Sequence, residues 1–242
     1  MHALKRKIPV VLCTIAASAG LILGSTTMAS ATAGSTYTPF KLACWAGSPG
    51  NIAQAQTTGV TVNHTTVASP GTNTYTVAFD SQTVPGASGI YTVTSLTNMQ
   101  YDLQYNPATM GTYSIPTTGA GTGTGTGTGY TGTPSIVATT STNSGTPVLR
   151  MTIPSVAPGS FTPPTITLNT SSSTFDVKLN TSSLRESEFG YFSGNFYRFT
   201  SNGTAFGAIP YSANTSCIPS DTLPSSAGSS PTLNAGAGVL HP

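Results

Sequence analysis

Apolar and polar positions alternate with a period of two along most of the chain, and the 3.6-residue period of an amphipathic helix is nearly absent. Tyr75, Val77 and Phe79 alternate with Thr76 and Ala78. Met99, Tyr101, Leu103 and Tyr105 alternate with Gln100, Asp102 and Gln104, and Phe175, Val177 and Leu179 with Asp176 and Lys178. Each run predicts a strand with one face buried and one wet. Further strands are predicted at FKLACW (40–45), GVTVNHTTV (59–67), IYTVTSL (90–96), SIVATT (135–140), VLRMTI (148–153), TITL (165–168), NFYRFT (195–200) and TAFGAI (204–209), with Gly, Pro, Asn and Ser clusters between them as turns. About ten short strands and no capped helix predict an all-β fold, a β-sandwich of immunoglobulin-like type.

Two segments break the pattern. Residues 119–133, GAGTGTGTGTGYTGT, repeat Gly too often to hold a strand cheaply and are expected to form a flexible loop. A nucleotide-binding role for it fails, because no helix follows and no Gly-Lys-Ser/Thr ending occurs. Residues 220–242 lack periodicity and are rich in Ser, Gly and Pro, which predicts a disordered tail. A single domain over 36–219 with a long internal loop is expected in preference to two separate halves.

The first residues change the reading of charge. Lys5, Arg6 and Lys7 precede an apolar run from Ile8 to Leu23, and small residues follow up to Ala29, Ser30 and Ala31. This is the pattern of a secretory signal peptide, residues 1–31, with cleavage after Ala31 or alternatively Ala33. The formal charge of +2 then belongs to the leader: five Lys and Arg remain against six Asp and Glu. A near-neutral chain offers no cation cluster for nucleic acid or anionic lipid, and no membrane span is expected after cleavage. Charged residues are only 6% of the chain, far below the usual quarter, whereas Ser and Thr number 30 and 44. Such a surface must be wetted by neutral hydroxyls.

Cys13 leaves with the leader, and Cys44 and Cys217 remain. In an oxidising compartment this pair reads as one disulfide, a free or metal-bound pair being the alternative. Candidate chemistry is sparse. A hydrolase would use His64 with Asp80, Asp102 or Asp176, yet His64 shares the parity of Val60 and Val62 and no G-x-S-x-G accompanies it. Glu186 and Glu188 would share a face if extended, beside Arg185 in a polar turn, without the aromatic subsites of a glycosidase. No metal-ligand set and no cofactor motif occurs. Lys178 faces away from its apolar neighbours, which argues against an isopeptide bond. Sequons begin at Asn63, Asn169, Asn180, Asn202 and Asn214, a number expected by chance at this Ser/Thr content. Binding has the better case: if Cys44 points inward, Trp45 points outward, and Tyr101 and Tyr105, with Tyr113, Tyr191 and Tyr197, could extend an aromatic platform for sugars.

The phrase Ala157-Pro158-Gly159-Ser160-Phe161 with Pro163-Pro164, the closing stretch from Ile209-Pro210 to Cys217-Ile218-Pro219, and FKLACWAG near the start resemble secreted actinobacterial two-cysteine β-sandwich proteins of uncharacterised function. The likeness spans the first dozen residues after the leader and 155–222. It implies a fold, a disulfide and export, and carries no activity. The expected function is therefore that of a secreted or cell-envelope protein, non-enzymatic, structural or interacting, with cell-wall glycan or another envelope protein as partner. A carbohydrate-binding module is the alternative, and a secreted hydrolase the third reading.

Overall fold

The structure is a computed structural model, and it describes residues 34–46, 52–65, 72–115, 128–141, 145–171, 175–180 and 196–219. The predicted leader and predicted tail, Glu186, Glu188, Tyr191 and the Gly/Thr repeat up to Gly127 lie outside these residues. All regular structure among the described residues is antiparallel strand. In chain order the strands are β1 (Gly34–Ala46), β2 (Ile52–Thr65), β3 (Asn73–Phe79), β4 (Gln82–Val84), β5 (Ala87–Ser88), β6 (Tyr91–Gln104), β7 (Met110–Ser114), β8 (Tyr130–Thr131), β9 (Ser135–Thr140), β10 (Pro147–Val156), β11 (Gly159–Phe161), β12 (Ile166–Thr170), β13 (Lys178–Leu179), β14 (Tyr197–Ala205) and β15 (Ile209–Pro219).

Hydrogen bonding links them in the order β7-β12-β3-β2-β1-β15-β14-β6-β10, with β8 and β9 on the far side of β10. β1 pairs with β2 along its whole length but with β15 only through Leu42–Ala46. That short join is a corner. On one side lie β7, β12, β3, β2 and β1; on the other lie β15, β14, β6, β10 and β9. The two inner faces meet as in a sandwich: Phe79 of β3 stacks on Tyr101 of β6 at 5.1 Å, and Phe40 of β1 meets Phe196 edge-on at 5.8 Å. Alternation supplies the facing side chains, with Phe40, Leu42, Val60, Val62, Val77 and Leu168 buried opposite Met99, Leu103, Leu149, Met151 and Ile153.

The predicted runs are strands, with three departures. The runs at 90–96 and 99–105 form one strand, β6, whose inward positions Val93, Leu96, Met99, Tyr101 and Leu103 slip out of strict alternation. Register shifts against β14 cause this, one of them around Asn98, which has a positive φ of 51°. Gly203 sits at the other shift, where a Cβ would collide with the Thr92 carbonyl. The run 204–209 is a hairpin: Ala208 N–H donates to the Ala205 carbonyl, and Phe206 and Gly207 take φ of 50° and 78°. Finally, the end of the Gly/Thr segment is built into the fold. Thr128 pairs with Thr162, β8 pairs with β10, and Tyr130 is buried. The expected loop thus stops short of residue 128, because Tyr130 supplies the apolar area that the repeat lacks.

Cys44 and Cys217 face each other across the β1–β15 join, 4.0 Å apart at Cα, and form a disulfide. Parity explains it: Cys44 continues the buried series Phe40, Leu42. Tyr101 and Tyr197 bury their rings against each other at 4.7 Å, and the Tyr101 hydroxyl donates to Met99 Sδ at 3.8 Å. Burial pushes both phenols up from the ordinary value of 10.0. An unfolded tyrosine ionises near pH 10, whereas these stay protonated above it, so their contribution is complete below pH 10 and falls as pH rises further. Urea midpoints measured from pH 9 to 12 are expected to decline, and the decline is expected to shrink in a Tyr101→Phe/Tyr197→Phe double variant. An equal decline in both proteins would refute this assignment.

Candidate functional site

The aromatic platform is not assembled as expected. Tyr101 and Tyr197 are core residues, 0% and 2% exposed, so neither can meet a ligand. Tyr105 and Tyr113 are half-buried against the core. The Trp45 side chain lies outside the described residues, and its backbone pairs with Ser216 and Ala53. Tyr101 belongs to the apolar series Met99, Tyr101 and Leu103 of β6, and the structure turns that whole series inward.

The catalytic candidates are also held apart. His64 lies on the inner face of β2, stacked on Tyr75 at 4.6 Å, and its Nε2 donates to Asn73 Oδ1 at 3.2 Å. Asp80 accepts from the Tyr37 hydroxyl at 2.8 Å, Asp176 lies 3.4 Å from the Thr109 hydroxyl, and Asp102 is bound by arginine. None of the three carboxylates orients His64. Among the described residues no group of three His, Cys, Asp or Glu side chains could hold a metal ion, and no helix is long and apolar enough to cross a membrane.

Asp102 is the centre of a buried charge cluster that periodicity could not reveal. β6 and β10 place it directly opposite Arg150, which grips it through Nε and a terminal nitrogen at 2.8 and 2.9 Å. Arg198 of β14 adds a contact at 3.3 Å and donates Nε to Gln100. Three strands are thereby tied together on the face opposite Tyr101 and Leu103.

Elsewhere the outer faces carry neutral ladders. Thr74 donates to Asn169 at 2.7 Å, and Asn169 donates to Thr112 at 2.7 Å, linking β3, β12 and β7. On the other half Ser212 donates to Asn202, which donates to Thr97, linking β15, β14 and β6. Asn180, a sequon residue, is fully buried. Lys41 and Lys178 are exposed.

The clearest exposed feature is a tip formed by two adjacent hairpins. The β5–β6 turn presents Ile90 and the β14–β15 turn presents Phe206, with Ile209 at the start of β15; their exposures are 47%, 71% and 59%. Phe206 N–H donates to the Ile90 carbonyl at 2.9 Å, which fixes one turn on the other. Tyr91 and Tyr211 meet edge-on at 5.0 Å beneath them. Neither turn carries a charge, from Gly86 to Thr92 or from Gly203 to Ser212. The three side chains expose on the order of 300 Å² of apolar surface, comparable with the largest patch on an ordinary monomer. The backbone adds a second signal, because a bulky residue at positive φ is rare and costs roughly 1–2 kcal/mol. Sequence reasoning missed the tip because TAFGAI alternates well enough to pass for a strand; the Phe206-Gly207 pair, with glycine at a position that suits a tight turn, was the available clue. Comparison with family models, with characterised proteins and with solved structures returns no match.

Proposed function

We propose that this is a secreted or cell-envelope, non-enzymatic interaction protein that docks on an apolar protein surface through the Ile90, Phe206 and Ile209 tip. The carrying observation is Phe206, held in a strained turn conformation and left mostly exposed. Strain kept at an exposed side chain is a sign of function, since an asparagine or glycine there would relax the backbone. An uncharged rim lowers the desolvation cost of covering it. The disulfide is compatible with an extracellular location. We read the sandwich as immunoglobulin-like on its facing antiparallel sheets and its non-sequential neighbours, β1 beside β15 and β12 beside β3; its disulfide differs, joining paired strands at a corner.

A second reading, binding of neutral cell-wall glycan, draws support from the Asn and Thr ladders. One experiment separates the two. The mature protein is sedimented with cell envelopes, with protease-stripped envelopes and with extracted glycan, alongside Phe206→Asn. Docking through the tip predicts binding to intact envelopes only, lost in the variant, while the variant melts about 2–4 °C higher as roughly 1 kcal/mol of strain is relieved. Equal binding of both proteins to extracted glycan would favour the second reading and remove the first.

A further inference from the structure

Among the described residues β9 pairs with β10 alone, and we propose that its outer edge is a strand-addition site: it pairs antiparallel with β9 of a second copy of this chain about a twofold axis. Ser141 N–H donates to the Thr146 carbonyl, and the Ser141 carbonyl accepts from Gly145. Odd-numbered residues therefore turn their backbone groups toward β10, and Ile136, Ala138 and Thr140 turn theirs away, because the two groups of a residue point to the same neighbour in an antiparallel ladder. Ala138 shows this directly: its N–H donates at 3.1 Å to the Tyr113 hydroxyl, reaching across from β7. Among the described residues no backbone hydrogen bond joins β7 to β9, and no strand lies beyond β9.

Edges of this kind are normally blunted by lysine, proline or a bulge. Residues Ser135–Thr140 carry none of these: they read SIVATT, uncharged and largely β-branched, in a regular pairing with β10. Among the described residues little covers β9, where Ser135, Val137, Ala138 and Thr140 are exposed. The occupant follows from self-complementarity. With Ala138 opposite Ala138 of the second copy, Ile136 faces Thr140 and Val137 faces Thr139, pairs without like charges and favourable for sheet formation. Five cations against six anions beyond the leader leave two copies with little mutual repulsion. In the single chain the Tyr113 hydroxyl occupies the Ala138 donor; in the pair a carbonyl of the second copy replaces it.

The test is sedimentation equilibrium of the mature, disulfide-intact protein over a dilution series. The wild type is expected to form a reversible dimer. Val137→Glu/Thr139→Glu places carboxylates directly opposite one another across the axis and should weaken the dimer at least tenfold, with an unchanged circular dichroism spectrum. Tyr113→Phe, which strands the Ala138 N–H in the single chain, should tighten it about fivefold. A wild type monomeric at every concentration, or a double-glutamate variant that dimerises as tightly, overturns the proposal. Dimerisation abolished by Phe206→Ser and untouched by the glutamates would also overturn it and move self-association to the tip.

Discussion

Serine at both positions 44 and 217 is expected to lower the free energy of unfolding by about 5 kcal/mol, because the bond closes 173 residues of sequence and the lost denatured-state entropy grows with the logarithm of that length. For a domain of this size the same figure corresponds to a fall of roughly 10–20 °C in the melting temperature. The effect is large against the total, since domains are typically stable by about 5–15 kcal/mol. The bond also sits where the fold is least redundant. Only Leu42–Ala46 of β1 pair with β15, and among the described residues that join is the one strand pairing of the large sheet that connects its two halves. Wild type in reductant should melt with the double variant, which separates loss of the bond from the change of side chains. Coincident melts for oxidised wild type and the double variant would show that the crosslink contributes nothing.

Replacing Asp102 by alanine is expected to cost about 3–5 kcal/mol, the range for breaking a buried ion pair by removing one partner. Its side chain is 1% exposed, and those of Arg150 and Arg198 are 21% and 4% exposed. The deletion therefore leaves two guanidinium groups in poorly solvated surroundings, and it cuts the side-chain tie between β6, β10 and β14. Arg150→Lys is the informative companion. It keeps the charge but loses the two-pronged grip, and should fall between wild type and Asp102→Ala. Urea midpoints at pH 7 are the measurement, and a loss under about 1 kcal/mol for Asp102→Ala would mean that water reaches the cluster. Asp102 was one of the carboxylates considered for His64; the structure gives it a packing role.

How much of this was legible depended on the range of the interaction. Phe40, Leu42 and Cys44 share parity, and so do Val60, Val62 and His64, and the structure turns each set inward. Tyr101 follows the same rule with Met99 and Leu103, so its proposed place in an aromatic platform ran against its parity; alternation missed the Phe206 turn, because one aromatic residue in a left-handed conformation leaves the pattern nearly intact. The Gly/Thr segment was misjudged at its end for a different reason. Composition weighed the glycines, whereas Tyr130 found a buried place against residues distant in sequence.

What the sequence by itself determined is the all-β character, the neutral hydroxyl-rich exterior and the parity that Cys44 shares with Phe40 and Leu42, since these follow from alternation and composition within single strands. Only the tertiary structure decided that β1 lies beside β15, that Asp102 meets Arg150, that two hairpins gather Ile90 and Phe206 at one tip, and that β9 ends the sheet with Tyr113 across its edge. These depend on strand order and register, and register between distant strands is set by the fit of many side chains at once, which no local pattern encodes.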